Sequence, residues 1–161
     1  MKIVVISDSH RNFTVLHQLM ELQKDSADLV LFLGDGEREL DDIRSLYPNL
    51  TIVGVAGNCD WGSLEPASRI VRAGKTKLFV THGHTYGVKF SLEELKKAAR
   101  AAGCRVVLYG HTHIPHTEYD DGLYVMNPGS IGAPREGGAT YGVLEIAQNG
   151  ILMNIAPIER Q

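Results

Sequence analysis

The sequence predicts an α/β fold that starts with parallel strands and helices and ends with antiparallel hairpins. Short continuous apolar runs, such as residues 3–6 and 29–33, are typical of strands that are buried on both faces. Helical periodicity between these runs predicts parallel strands that are joined by helical crossovers. The dipeptides Ala73-Gly74, Asp121-Gly122 and Asn149-Gly150 favour hairpin turns between later strands. Two sheets packed face to face, with helices outside, satisfy both halves of the chain.

Three helices are predicted, and each has recognisable start or stop residues. The first is expected to start after Asn12 and to end before residues 25–28, and the other two are expected to span residues 37–46 and 92–102. Asn12 can cap the first helix, and Pro48 stops the second. Ser91 resembles an N-cap for the third helix, and Glu94, three residues later, would complete a capping box. Gly103 provides the C-terminal stop of that helix.

Length and composition indicate one globular domain over residues 1–161, with 43% hydrophobic and 22% charged residues. The formal net charge of −3 argues against a broad nucleic-acid-binding surface and against a basic membrane-binding face. The first apolar run is too short for a signal peptide, and no apolar run approaches transmembrane length. Two cysteines do not make a disulfide framework, so we expect a cytoplasmic protein.

Five short motifs that contain Asp, His or Asn follow predicted strands. They are Asp8-Ser9-His10, Gly34-Asp35, Gly57-Asn58-Cys59-Asp60, Thr81-His82-Gly83-His84 and Gly110-His111-Thr112-His113. Taken singly, each polar residue would be read as a turn or cap residue. Ligands of α/β sheets bind outside the carboxyl ends of the strands, however, and five of the seven histidines lie in these motifs. We therefore predict a metal site at one sheet edge, whereas His17 and His116 are expected to be structural or exposed.

The ordered motifs Asp-x-His, Gly-Asp, Gly-Asn-x-Asp, His-Gly-His and Gly-His-Thr-His resemble those of the calcineurin-like metallophosphoesterases. The resemblance is strongest to the short single-domain bacterial and archaeal phosphodiesterases of that family. It extends from Met1 to about Ala133, because Asn127-Pro128-Gly129-Ser130 matches a further family signature. This resemblance implies a four-layer α/β/β/α sandwich of two mixed β-sheets that are flanked by helices.

The resemblance also implies a dinuclear metal centre with seven protein ligands. One ion would bind Asp8, His10 and His113, the other would bind Asn58, His82 and His111, and Asp35 would bridge both ions through its two carboxylate oxygens. Two such ions can share a hydroxide that attacks the phosphorus atom. Only two of the seven ligands are anionic, so two divalent ions leave a net positive site that suits a phosphate ester.

The ligand set also indicates which metals are expected. Four imidazoles favour transition metals over Mg²⁺ and Ca²⁺, which prefer oxygen ligands. Mn²⁺ is the first expectation, and Fe, Zn²⁺, Ni²⁺ and Co²⁺ are also compatible with these ligands.

The general acid departs from the pattern of the family. Many relatives have a histidine directly after the motif asparagine, where this chain has Cys59. A thiol of ordinary pKa is a poor proton donor, and we expect Cys59 to be a small packing residue. His84 and Asp60 are therefore the candidate catalytic residues. Each has an alternative role, because His84 can orient metal ligands and Asp60 can orient or stabilise a turn.

Residues 34–39 favour a phosphodiester substrate. Protein phosphatases of the family carry Gly-Asp-x-x-Asp-Arg-Gly, in which the arginine clamps a monoester dianion. The corresponding stretch here, Gly34-Asp35-Gly36-Glu37-Arg38-Glu39, lacks that arginine and its spacing. We therefore predict hydrolysis of a small phosphodiester. The loops at residues 61–64 and 135–138 are expected to recognise the leaving group, and Arg11, Arg38 and Arg135 are candidates to line the site.

Two alternatives come from other functional classes. A non-catalytic scaffold is compatible with the family, because the sequence also resembles a membrane-coat subunit of similar length. Altered metal-site residues are expected in a scaffold, whereas all seven ligand positions are intact here. A nuclease is disfavoured by the acidic chain and by the lack of an extended basic or aromatic groove sequence. The sequence leaves open whether the protein forms a homo-oligomer.

Overall fold

A computed structural model describes residues 1–159, so positions 160 and 161 of the predicted domain lie outside the described residues. The elements follow in the order β1 (Lys2–Ile6), α1 (Phe13–Gln23), β2 (Leu29–Phe32), α2 (Glu37–Leu46), β3 (Ile52–Gly54), β4 (Ser68–Ala73), β5 (Thr76–Thr81), a 3₁₀ turn (His84–Tyr86), α3 (Glu93–Ala101), β6 (Val106–Leu108), β7 (His116–Asp120), β8 (Leu123–Asn127), β9 (Thr140–Ala147) and β10 (Gly150–Pro157). No helix within residues 1–159 is long and apolar enough to cross a bilayer.

The strands form two mixed sheets of five strands each. The first sheet has the order β10-β9-β1-β2-β3, and the second has the order β4-β5-β6-β8-β7. Strands β1, β2 and β3 are parallel to one another, whereas β9 runs antiparallel to both of its neighbours, β1 and β10. In the second sheet, β5, β6 and β8 are parallel, and the edge strands β4 and β7 run antiparallel to their neighbours. The parallel strands therefore form the interior of the second sheet, whereas in the first sheet they lie on one side, with β3 at the edge and the antiparallel β9 between β1 and β10.

The alternation of side chains along β1 shows how the layers are built. Ile3 and Val5 face the second sheet and pack against Leu78 and Leu108 in a shared apolar core. Their neighbours in β1 face the opposite side, in a second cluster with residues of α1 and α2. A third cluster joins α3 to the outer face of the second sheet. The predicted four-layer α/β/β/α sandwich is confirmed.

The local signals placed the helices and hairpins to within a residue or two. The Asn12 side chain accepts a hydrogen bond from the Val15 amide and caps α1. The predicted capping box of α3 is wrong, because the Ser91 hydroxyl accepts from the Glu93 amide and the helix starts one residue later than predicted. All three hairpins form. The last turn consists of residues 148–149 rather than Asn149-Gly150, since Gly150 already pairs with Ala147.

Candidate metal centre

The predicted metal ligands lie just beyond the carboxyl ends of five strands: β1, β2, β3, β5 and β6. Their backbone is unusual. Seven non-glycine residues of the described chain have positive φ, and five of these are Asp8, His10, Asp35, His111 and His113. Positive φ is costly for residues with a β-carbon and persists where the surroundings hold it in place. The loops have therefore adopted strained conformations that aim these side chains at a common point.

Two motif glycines permit the close approach of these loops. Gly34 has a φ of 96°, and a β-carbon there would lie 2.6 Å from the Gly57 nitrogen and 2.9 Å from Nδ1 of His82. A β-carbon on Gly57 would lie 2.1 Å from Oδ1 of Asp35. Any larger residue would push these loops apart. The glycines of the Gly-Asp and Gly-Asn motifs thus serve the packing of the site.

The first group of candidate ligands consists of Asp8, His10 and His113. Oδ1 of Asp8 lies 3.1 Å from Nε2 of His113 and 3.5 Å from Nε2 of His10. The two imidazole Nε2 atoms are 3.1 Å apart. Atoms that bind one ion at about 2.0–2.2 Å are separated by distances of this size. The structure therefore brings these three predicted ligands together.

The second group consists of Asp35, Asn58, His82 and His111. Nε2 of His82 lies 3.0 Å from Oδ1 of Asn58 and 3.3 Å from Oδ2 of Asp35. The ring of His111 packs edge-on against that of His82, with a centroid distance of 5.0 Å. Oδ2 of Asp35 also lies 3.7 Å from Nε2 of His10, so it faces both groups. Its other oxygen, Oδ1, accepts the Cys59 amide at 2.8 Å. Oδ2 of Asp35 is thus the oxygen that faces imidazoles of both groups, whereas Oδ1 accepts a backbone hydrogen bond.

A buried oxygen without a hydrogen bond shows that these residues fit a cation. Asp8 is fully buried; its Oδ2 accepts the Ser7 hydroxyl and the His111 amide. Its Oδ1 accepts no hydrogen bond. A buried carboxylate oxygen without a partner is costly, and metal coordination is one of the ways in which proteins satisfy it.

Two imidazoles are oriented by backbone carbonyl groups. Nδ1 of His82 lies 2.6 Å from the Leu33 oxygen, and Nδ1 of His113 lies 2.7 Å from the Ala133 oxygen. A carbonyl oxygen can only accept, so Nδ1 carries the proton in both rings. The Nε2 atoms are therefore directed at the carboxylates, as ligand atoms must be.

The family signature at residues 127–130 forms hydrogen bonds with the loops that carry the candidate ligands. The Asn127 side chain donates to the Gly110 oxygen at 3.0 Å and to the Thr112 hydroxyl at 2.9 Å. The Ser130 hydroxyl donates to the backbone carbonyl oxygen of Asp8 at 2.8 Å. Both residues are fully buried. They hold the loops after β6 and β1, a role that the sequence motif did not indicate.

The charges of the cluster are coupled. Burial raises the pKa of Asp8, but the adjacent His10 and His113 more than offset this and keep the pKa below its ordinary value. Burial and the nearby His82 lower the pKa of His111 to about 4. For His82, burial lowers the pKa, but the hydrogen bond with Asp35 and the charges of Asp8 and Asp35 together more than offset this and raise the pKa. Asp8 and His111 are thus already in the form that coordinates metal.

The Asp60 carboxylate is fully engaged with the backbone. Oδ2 accepts the amides of Asp35 at 2.8 Å and Gly57 at 2.7 Å. Oδ1 accepts the amides of Gly36 at 3.0 Å and Glu37 at 3.1 Å. The carboxylate thereby caps the start of α2 and ties it to the loop after β3. Of the two roles considered for Asp60, the geometry favours orientation over proton transfer.

His84 and Cys59 flank the ligand groups. The His84 ring centroid lies 5.4 Å from that of His82 and 6.1 Å from that of His111, and its buried Nδ1 has no partner among the described residues. Burial and the charge of His82 lower the pKa of His84. Burial and Asp35 raise the pKa of the Cys59 thiol. Cys59 is exposed, so the expectation of a packing residue is wrong. Its chain neighbours anchor the backbone, and the side chain is left at the surface.

A cleft of about 730 Å³ opens beside the two groups. It is lined by His10, Arg11, Asp35, Gly36, Glu37, Arg38, Glu39, Cys59, Asp60 and Trp61. Two of the three candidate arginines, Arg11 and Arg38, thus line the site. The third, Arg135, is exposed and donates its amide to the His113 oxygen.

Comparison with known proteins agrees with this geometry. Residues 1–149 match the calcineurin-like phosphoesterase superfamily domain. The probable metallophosphoesterase YsnB of Bacillus subtilis is 35% identical over 136 residues, which cover 84% of this chain and 78% of that protein. The phosphodiesterase YfcE of Escherichia coli is 29% identical, with 97% of this chain and 92% of that protein covered.

Solved structures share the fold. A predicted phosphoesterase from Streptococcus pneumoniae superposes with a TM-score of 0.85 at 28% identity, covering 97% of this chain and 88% of that chain. A Vps29 variant from Entamoeba histolytica gives a TM-score of 0.76 at 22% identity, over 97% and 98% of the two chains, and so shares the fold alone. The match over residues 1–149 and the identity with YsnB establish that this chain belongs to the calcineurin-like phosphoesterase superfamily.

Proposed function

We propose that the protein is a metal-dependent phosphodiesterase that acts on a small phosphoester. The observation that carries this proposal is the orientation of two buried carboxylates. Each has one oxygen engaged by hydrogen bonds from the protein, and the other oxygen faces imidazole Nε2 atoms. Such an arrangement suits two adjacent divalent cations. Two bound ions would supply a hydroxide nucleophile and positive charge for the phosphoryl oxygens.

Hydrogen bonds within the chain would hold Asp35 in position at that centre. The Cys59 amide fixes the rotation of the Asp35 carboxylate, so that Oδ2 is presented to both ligand groups. Asp60 holds the backbone of Asp35 itself. Because these contacts exist before substrate binds, little reorganisation is needed during the reaction.

The proposal of a diester rather than a monoester rests on what the cleft offers. Arg11 and Arg38 are exposed at its rim, and the Gly-Asp motif has no arginine at the spacing that clamps a monoester dianion. The similarity to YfcE, which is named a phosphodiesterase, supports the same choice.

His84 remains the candidate proton donor for the leaving group. It lies beside the second ligand group, and its Nδ1 has no partner among residues 1–159. Asp60 is less suited, because its oxygens already accept four backbone hydrogen bonds. The low pKa of His84 leaves its imidazole neutral near pH 7, so a role in orienting the ligands is the competing assignment.

A scaffold is the second candidate function, and the shared fold with Vps29 is the observation in its favour. All seven candidate ligands are present in this chain and lie in the two groups described above, which argues for the enzyme. Metal-dependent hydrolysis, rather than metal binding alone, separates the two functions, because a Vps29 from Entamoeba histolytica also forms a complex with Zn²⁺.

Removal of metal should abolish activity. We expect chelator-treated protein to be inactive on bis(p-nitrophenyl) phosphate, and Mn²⁺ to restore activity better than Mg²⁺, because of the four imidazole ligands. The measurement is p-nitrophenol release together with the metal content of the protein. Full activity in excess chelator would refute metal dependence, and equal activity with Mg²⁺ alone would refute the expected preference for Mn²⁺. Protein that binds no metal tightly would favour the scaffold.

Asp35→Asn should reduce kcat/KM by several orders of magnitude, and by more than His10→Ala. The amide oxygen can still accept the Cys59 amide, but the amide nitrogen would then face both ligand groups and cannot coordinate. Turnover on the aryl diester and the number of bound ions would be measured for both variants. Near-normal turnover with two bound metals in Asp35→Asn would exclude the bridging role.

Asp60→Asn should act on position rather than on proton transfer. One of its two atoms would become a donor that faces two backbone amides, so we expect the free energy of unfolding to fall by about 1–3 kcal/mol. Activity should fall by the same factor for aryl and alkyl diesters. Denaturant unfolding and kinetics test this, with the exposed Asp42→Asn on α2 as the control. A loss confined to alkyl diesters would assign the proton donor to Asp60.

His84→Ala should lower the rate on alkyl diesters by about 10²–10⁴-fold and leave aryl diesters nearly unaffected, because only a poor leaving group needs a proton. Cys59→Ala should be mild on both substrates, since its thiol stays neutral. The rates of both variants on both substrates decide the assignment. A loss that depends on the leaving group in Cys59→Ala, and none in His84→Ala, would reverse it.

A further inference from the structure

The cleft beside the candidate metal centre is lined both by candidate ligands and by an aromatic side chain. His10, Asp35 and Cys59 line it next to the ligand groups, and Trp61 lines it as well. Its volume of about 730 Å³ lies in the range of small-molecule sites. A substituent on a phosphoryl group at the centre therefore has room to extend towards Trp61.

Trp61 is exposed to an unusual degree for a tryptophan. Its side chain is 92% accessible, and the neighbouring Leu64 is fully accessible. Tryptophan generally buries most of its ring in a folded protein. Its uncovered ring at a cleft wall is therefore a surface on which a flat apolar group can stack.

The loop that carries Trp61 is anchored on both sides of the ring. On the N-terminal side of Trp61, the Asp60 carboxylate accepts hydrogen bonds from four backbone amides. On the C-terminal side, the Ser63 hydroxyl donates to Glu37 at 2.6 Å. Glu65 forms ion pairs with Arg44 on α2 and with Arg69 on β4. A ring held on an anchored loop loses little conformational entropy on binding, so the loop is pre-organised for a ligand.

The charges of the cleft narrow the ligand class. Apart from the metal ligands, its charged lining consists of the guanidinium groups of Arg11 and Arg38 and the carboxylates of Glu37, Glu39 and Asp60. The carboxylates outnumber the guanidinium groups, so a leaving arm with several phosphates would be repelled. Asp60 is engaged with the backbone and Glu39 with Ser9, so Glu37 and the two guanidinium groups are the ones that can hydrogen-bond hydroxyl and ring-edge atoms of a ligand. An uncharged polar group joined to an aromatic ring fits best, and a nucleoside has this chemistry.

We infer that Trp61 stacks on the base of a nucleoside that is esterified to the scissile phosphate, so that the substrate class is a nucleoside phosphodiester. This inference rests on the proposed hydrolysis at the metal centre for its catalytic consequence. The binding of the base itself can be measured without turnover.

Trp61 is the single tryptophan of the chain, so its fluorescence reports directly on stacking. The Mn²⁺-loaded protein would be titrated with adenosine 5′-monophosphate and with ribose 5-phosphate, with excitation at the red edge of the tryptophan band, where adenine does not absorb. We expect saturable quenching by the nucleotide and none by the sugar phosphate. Equal quenching by both, or none by a nucleotide that calorimetry shows to bind, would overturn the inference.

Steady-state kinetics supply the second test, with adenosine 5′-(methyl phosphate) and its counterpart without a base, ribose 5-(methyl phosphate). Trp61→Ala should raise KM for the adenosine diester about tenfold and leave kcat unchanged, because a stacked base is worth about 1–3 kcal/mol. KM for the ribose diester should not change. Trp61→Phe should restore KM to within about threefold, since phenylalanine also stacks bases. Phe90→Ala, which removes another almost fully exposed aromatic ring outside the cleft, should have no effect.

The outcomes distinguish the two proposals. If neither diester is hydrolysed with any metal, the proposed function fails, while quenching by the nucleotide alone still supports the base site. If both are hydrolysed and Trp61→Ala affects them equally, the base site is excluded and the hydrolase stands. If Trp61→Ala lowered the molecular mass of the protein in solution and left KM unchanged, Trp61 would contact a second copy of the chain. That result would also overturn the inference.

Discussion

The candidate metal centre depends on the burial of two carboxylates at the place where the ends of the two sheets meet. Asp8 follows the first sheet's central strand and Asp35 follows the strand beside it, and the imidazoles of His82 and His113 reach them from the second sheet. Burial makes any oxygen without a partner expensive, so the surrounding amides and hydroxyls must leave free only those oxygens that a ligand will satisfy. In Asp8 this selection is visible atom by atom, because Oδ2 accepts two hydrogen bonds and Oδ1 accepts none.

Such selectivity requires that the loops be held to within about 0.5 Å, and the chain achieves this with residues outside the candidate ligand set. Glycines at the strand ends let backbones approach to distances that a β-carbon would forbid. Asn127 and Ser130 hold the loops after β6 and β1, and Asp60 gathers four amides around the start of α2. The positive φ angles of the ligand residues are the local cost of this arrangement, and the buried hydrogen bonds offset it.

The sequence was most informative where the signals were local or ordered. Apolar runs, turn dipeptides and the order of the motifs predicted the strands, the hairpins and the edge at which the polar residues meet. The sequence did not predict side-chain contacts that depend on distances between segments far apart in the chain. The four amides on Asp60 come from two loops, and the side of Cys59 that reaches solvent is set by its backbone bond to Asp35. A motif states which residues are adjacent in the chain, and it does not state which of two carboxylate oxygens remains free.

Members of the superfamily can share the fold and still differ in their chemistry. The sandwich positions strand ends, and it does so in Vps29 as well as in this chain. What a given member can do is decided by the side chains at those ends and by the loops around them. Here the ends present a free carboxylate oxygen to imidazoles that carbonyl groups orient, and the next loop presents a tryptophan that is 92% exposed. The anchored loop keeps the Trp61 ring in contact with water, and an apolar group that stacks on this ring would remove that contact.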